Sequence, residues 1–163
     1  MILDIVTDPN EILHKKSASL SADRFGSPDI KKLTTNMIET MYAKDGVGLA
    51  APQIGQSLAI CVIAKKYTPN QKTDLILINP EWEKMSLQKT IDDEGCLSVP
   101  NIFGEVKRYK KIKVYGQNIR GEKMEFPAED YFARILQHEI DHLNGILFIE
   151  KAKKLRQADL IQL

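Results

Sequence analysis

Apolar residues recur along this chain at two spacings, and the change from one to the other predicts where helices give way to strands. Between Ser27 and about Tyr42, Ile30, Leu33, Met37, Ile38 and Met41 fall on one helical stripe. Ser27 before Pro28 reads as an N-cap followed by proline at the first helical position, with Asp29 in the first turn. The methionines of this stripe read as packing residues. Upstream, Pro9 to Ser17 reads as a short turn or helical piece leading into a Leu20 to Gly26 loop, with His14 on the surface beside two lysines. Leu58 to Ala64 is an unbroken apolar run of strand length, which predicts a buried strand with Cys61 as an inert core thiol. Asp74 to Asn79 predicts a second strand, ended by Asn79 and Pro80, and Trp82 to Ile91 a third. Gly95, Cys96 and the apolar residues after them suggest a turn feeding a strand. Ile112 to Asn118 and Lys123 to Phe126 alternate on either side of Arg120 and Gly121, the pattern of a hairpin. A further helix starts after Pro127, with Glu129 and Asp130 in its first turn and Gly145 as its C-cap. Glu150 to Leu160 reads as a final helix. Runs of strands with two principal helices, not alternating strand and helix, predict an α+β fold with antiparallel sheets, built as one small domain over residues 1–163.

The helix after Pro127 carries the candidate chemistry. His138 and His142 are four apart, so at about 100° per residue they project about 40° apart, one turn along the axis, and can reach one ion. Glu139 lies beside them, placed to exchange a proton with a water on that ion. Tyr131, Phe132, Ile135, Leu136 and Leu143 share their half of the helix, while Arg134, Gln137 and Asp141 form the polar half. Two such histidines could also be core residues bonded to carbonyls. The glutamate between them has no cation nearby in sequence, and two of the three histidines of the chain are used here, which favours a metal as the missing counter-charge.

The third ligand separates the classes of HExxH protein. Six residues after His142 stands Phe148, where the extended metal-protease pattern needs histidine. Downstream acids are limited to Glu150 and Asp159, too few and too near for a distant glutamate ligand. The ligand therefore comes from upstream, and Cys96, in a turn beside Gly95 and Glu94, suits better than Cys61 inside a strand. One thiolate and two imidazoles leave a fourth tetrahedral position for water, the open arrangement of catalytic metals. Ferrous iron, zinc, nickel or cobalt suit such donors; calcium and magnesium do not. A second segment, Asp45 to Gly55 (DGVGLAAPQIG), has glycines at 46, 48 and 55, too many for an ordinary surface connection. It lacks the lysine of a P-loop and the spacing of a dinucleotide fingerprint. Gln53 within it is a neutral amide in apolar surroundings, which must find partners or bind a ligand.

Composition narrows the remaining classes. A net charge of +1 offers no electrostatic case for DNA binding, and the lysines occur as scattered pairs of the kind found on solvated faces. Met1 to Pro9 shows no basic stretch followed by an apolar one, and no window approaches the roughly 20 apolar residues of a membrane span. The expectation is a cytoplasmic protein without a membrane partner, whose two cysteines do not form a structural disulfide. Competing readings are a metallopeptidase of other specificity and a non-catalytic zinc domain. The latter needs a fourth protein ligand, which neither His14 nor Cys61 is placed to supply. An iron oxygenase would want a carboxylate where the thiolate stands.

GVGLAAPQ, EGCLS and HEIDH, in that order, resemble the three signature motifs of the peptide deformylases, and the resemblance runs from the DPNEIL segment to Leu147 and Phe148. It implies a small α+β domain whose central helix crosses antiparallel sheets. It further implies Cys96, His138 and His142 as ligands of one ion, Fe2+ in many members, with Zn2+, Ni2+ or Co2+ able to replace it. Glu139 would be the proton shuttle, and Gln53 with the backbone N–H of Leu97 would hold the formyl oxygen as its charge develops. Val47 and Gly48 would line a groove for the N-formylmethionyl end of a nascent chain, and the ribosome is the further partner. The family pattern also puts Arg108 near Asp141, as an ion pair. Asn101, Ile102 and Phe103 stand where some members carry an arginine near the groove, and the region after Glu150 is short.

Overall fold

The structure, a computed structural model, describes residues 1–158. In chain order its principal elements are α1 (Pro28–Ala43), β1 (Gly48–Ala50), β2 (Ile60–Ile63), β3 (Leu75–Lys84), β4 (Lys89–Cys96), β5 (Val99–Tyr109), β6 (Lys111–Gln117), β7 (Lys123–Glu129), α2 (Asp130–Leu143) and β8 (Lys153–Gln157). Strands β1-β2-β3-β6-β7 form one sheet in that order and β4-β5-β8 a second, with antiparallel neighbours throughout. The fold is α+β, as the pattern predicts.

The unbroken apolar run at β2 reflects a sheet covered on both faces. Ile60 and Val62 pack with Met37, Met41 and Leu49 beneath α1, while Cys61 and Ile63 point the other way, into a core shared with Ala133, Leu136 and Leu143 of α2. With side chains alternating along a strand, neither set can be polar. A third cluster, Leu13, Val99, Val106, Leu147 and Phe148, fills the space against β5. Helix α2 thus touches strands of both sheets.

Several expectations need correction. The strand expected to stop at Asn79 and Pro80 continues to Lys84, and Trp82 belongs to it, not to a separate third strand. A register shift between Ile78 and Glu81 admits the extra residues, so proline's missing N–H falls where the ladder is already interrupted. Asn79, at a φ of 51°, fills that bulge with side-chain bonds to the Leu20 N–H and C=O and to Gln117. Instead of a helix, the segment after Phe148 forms one 3₁₀ turn and then β8. Only Leu155 within Lys153–Gln157 could contribute to an apolar stripe, whereas the open edge of β5 offers backbone partners, so the ladder wins over propensity. The rest of that expected helix, from residue 159, lies outside the described residues.

The polar half of α2 is also not a solvent face. Arg134 is 4% exposed, Gln137 2% and Asp141 6%, because the second sheet covers them. Gln137 bonds both the N–H and the C=O of Tyr109, acting as a strand partner would. At the C-terminal end, the Gly145 N–H reaches the His142 carbonyl and the Ile146 N–H reaches that of Asp141, with Gly145 at a φ of 75°. This is the Schellman arrangement, and it fixes the turn that carries His142.

Candidate metal centre and groove

Strand β4 and helix α2 bring three donors together. Cys96 ends β4, and its Sγ lies 3.2 Å from Nε2 of His142. One ligand atom each from Cys96, His138 and His142 lies within 4.8 Å of the others. Among the described residues no fourth histidine, cysteine or carboxylate joins this group. The imidazoles are 4.9 Å apart between centroids and inclined at 73°, as neighbouring turns of one helix dictate.

Glu94 orients the set. Its Oε1 lies 2.8 Å from Nδ1 of His138, which leaves Nε2 of that ring facing the other donors. The same carboxylate accepts two bonds from Arg108, at 2.9 and 2.8 Å, and one from Arg134 at 2.7 Å. Arg108 also reaches Asp141 at 2.5 Å, the pair the resemblance implies, and Lys151 reaches the same acid at 2.9 Å. Burial alone would raise the pKa of Glu94, but the bonds from Arg108 and His138 outweigh it and hold the carboxyl well below its usual range. Sequence reasoning treated Glu94 only as a neighbour of the turn. The available signal was spacing: Glu94 and Cys96 are two apart on a strand, hence on one face.

The remaining polar atoms point to a cation and a water. Glu139 is 3% exposed and its Oε2 finds no partner; Nδ1 of His142 is likewise buried and unpartnered. Burial is the largest influence on Glu139, opposed by charge on His138, and its pKa rises to about 7. Burial opposes a charge on His138 too, yet bonds to Cys96 and Glu94 prevail and raise it to about 10. Burial and the neighbouring His138 charge push His142 down. One cysteine sulfur with two imidazoles is a donor set that suits a divalent ion such as Zn2+ or Fe2+.

The segment Asp45 to Gly55 forms the opposite wall. Gly48 faces Glu139 so closely that a Cβ would stand 2.8 Å from Oε1, so the glycine leaves room for the carboxylate. Gln53 is buried; its Oε1 accepts from the Ala50 N–H, and its Nε2 donates to Ser98 Oγ at 3.2 Å and lies 3.5 Å from Cys96 Sγ. A groove of about 510 Å³ joins these residues, lined by Val47, Gly48, Gln53, Cys96, Leu97 and Glu139 among others. Tyr131, expected on the buried half of α2, is 46% exposed and stands at its rim. A larger cavity of about 640 Å³, around Met124, Phe126 and Phe132, touches none of the metal-site residues.

A sequence profile of the family described as Polypeptide deformylase matches residues 2–158. The chain belongs to that family. A peptide deformylase of Desulfotalea psychrophila is 44% identical over 96% of this chain and 90% of its own length. One from Carboxydothermus hydrogenoformans is 53% identical over 79% and 81%. Among solved structures, the peptide deformylase of Thermotoga maritima superposes with a TM-score of 0.86 at 40% identity, covering 94% of this chain and 99% of that one. A class I type b peptide deformylase from Acinetobacter baumannii, solved with Met-Ala-Ser bound, gives 0.87 at 35%, covering 93% and 98%. The deformylase motifs fall on the three walls just described: GVGLAAPQ on the glycine-rich segment, EGCLS at the end of β4 and HEIDH on α2.

Proposed function

We propose that this chain is a metal-dependent hydrolase that removes the formyl group from N-formylmethionyl ends of new polypeptides, releasing formate. Family membership supports the activity. The observation that carries the mechanism is the convergence of Cys96, His138 and His142 beside a buried Glu139, with no fourth protein ligand among the described residues. These three would hold one Fe2+ ion, with Zn2+, Ni2+ or Co2+ as substitutes. A bound divalent ion of this kind acidifies water toward neutrality and polarises a carbonyl.

The chain's own residues account for the rest. Glu139, buried beside the three donors, accepts the proton of the attacking water and returns it to the amine as the formyl C–N bond breaks. Gln53 Nε2 and the Leu97 N–H donate to the formyl oxygen as it gains negative charge, each worth about 3–4 kcal/mol by analogy with other oxyanion holes. Val47 and Gly48 line the groove that takes the methionyl end. The Acinetobacter baumannii relative is solved with Met-Ala-Ser bound, a sequence that begins with methionine as the product of such a reaction does. Residues 1–163 act as a single catalytic domain in this reading, supported by a helix that packs on both sheets. In this reading the cytoplasm is the compartment and the ribosome the partner where such chains arise; no described helix is long and apolar enough to cross a membrane.

The test is formate release from formyl-Met-Ala-Ser by protein purified without oxygen, with metal analysis and a parallel assay for internal amide cleavage. Formate without internal cleavage, and activity lost in air as iron is lost, is expected. Internal cleavage without formate would favour the metallopeptidase reading instead.

A further inference from the structure

Lysines that stand apart in the sequence meet at the end of the second sheet remote from the metal centre. Lys84 ends β3, Lys89 begins β4, and Tyr109 ends β5 opposite Lys89. Both ammonium groups lie over the Tyr109 ring, Lys89 Nζ at 4.4 Å and Lys84 Nζ at 5.8 Å from its centroid, and the Trp82 ring packs beside it. Lys107, two residues before Tyr109, is on the same face of β5 and stands opposite Ile91, which is 62% exposed. The acids around them are already engaged. Lys110, Lys111 and Lys113 reach Asp130, Glu129 and Glu125; further along the same face, Arg156 takes Asp93 and Lys154 takes Glu105. Glu83, on the other face of β3, is bonded by the Tyr115 hydroxyl. Among the described residues, no carboxylate pairs with Lys84, Lys89 or Lys107, all three exposed. The ring face attracts the two cations that share it, but they repel one another, and an anion between them relieves that repulsion. The net charge of +1 conceals this local excess.

We propose that this face, with Lys84, Lys89 and Lys107 around Tyr109, is a docking surface for the phosphate backbone of RNA. Three cations spread along a sheet face match a row of phosphates better than a single anion, and the aromatic and aliphatic side chains between them offer surfaces to sugars and bases. The proposal goes beyond the deformylase reading and rests on it in one respect: RNA is preferred to an anionic lipid surface because the substrate arises on the ribosome. Cys96 ends the strand that Lys89 begins, more than about 20 Å away at about 3.4 Å per residue. RNA held at this face therefore leaves the groove open to a peptide.

The experiment follows the fluorescence anisotropy of a labelled RNA hairpin titrated with the metal-loaded protein, and formate release from formyl-Met-Ala-Ser by the same samples. Affinity should fall about 20- to 40-fold between about 50 and 200 mM salt, as three phosphate contacts require. Combining Lys84→Gln, Lys89→Gln and Lys107→Gln should weaken binding by about tenfold or more at the lower salt and flatten its salt dependence, with formate release and the melting curve unchanged. Lys31→Gln with Lys32→Gln, a loss of exposed charge on α1, should keep RNA affinity to within about twofold. If the triple variant does not fold, Lys84→Gln and Lys89→Gln carry the test singly, each lowering the salt slope by about one. The proposal is overturned if the unaltered protein does not bind the RNA, if the lysine variants at this face bind it as before, or if the α1 variant loses as much. Binding to phosphatidylglycerol vesicles without binding to RNA overturns it in favour of a lipid surface. Formate release keeps the two readings apart: its absence from the unaltered protein overturns the deformylase reading, while the anisotropy judges the surface in either case.

Discussion

Glu139 keeps a carboxylate in a place that only a missing side chain makes available. Gly48→Ala would put a Cβ within 2.8 Å of its Oε1, so turnover should fall by about tenfold or more while metal content is retained, read by formate release and metal analysis on the same sample. Gln53 depends on a neighbour in a similar way. Ser98 is fully buried, and its hydroxyl accepts one bond from the Gln53 amide, whose Nε2 also lies 3.5 Å from Cys96 Sγ at the groove. Ser98→Ala should lower kcat several-fold with little change in KM, a loss of about 1 kcal/mol for one hydrogen bond, and Ser98→Thr should restore most of it. These residues were legible in the sequence to different degrees. His138, His142 and Glu139 could be read from helical spacing alone, and Cys96 by excluding other ligands. Glu94 was not read, because a carboxylate beside two aspartates looks like a solvated run until the pairing of β4 turns it inward.

At the scale of elements, α2 shows why an amphipathic pattern can mislead. Its apolar half packs on the first sheet as the periodicity predicts, but its polar half meets a second sheet through Arg134, Gln137 and Asp141. Arg108 links that half to the metal site, since it binds both Asp141 and the Glu94 that orients His138. Removing one partner of a buried ion pair leaves the other charge uncompensated. Arg108→Ala should therefore destabilise the fold by about 3–5 kcal/mol, measured by denaturant unfolding, and an unchanged midpoint would show that the network carries no such load. Glu94→Gln should fold better than that variant but bind metal about 10- to 100-fold more weakly, as expected when an outer-sphere partner of a ligand histidine is altered. Strands β2, β6 and β7 were legible because local alternation or burial marks them. β8 was not, because the edge of β5 that selects it is remote in sequence, and a lysine-rich segment fits helix and strand equally well.

Across the whole molecule, the proposed ion joins the two sheets: Cys96 belongs to the second, and His138 and His142 to the helix packed on the first. Anything that binds only the folded chain stabilises it by mass action, about 2.7 kcal/mol at a free concentration 100 times Kd. Chelation should accordingly lower the melting temperature, re-addition of Zn2+ or Ni2+ should restore it, and Cys96→Ser should reduce the difference sharply. The α+β class was legible without knowledge of any relative, whereas the assembly of two sheets around one helix depends on pairings that no short window encodes. The most direct test of the metal assignment is X-ray absorption at the metal edge of the zinc-loaded protein. The expected spectrum has one sulfur at about 2.3 Å, two imidazole nitrogens at about 2.0–2.1 Å and one further light atom. A spectrum without sulfur, or with a fourth protein ligand closing the shell, would contradict it.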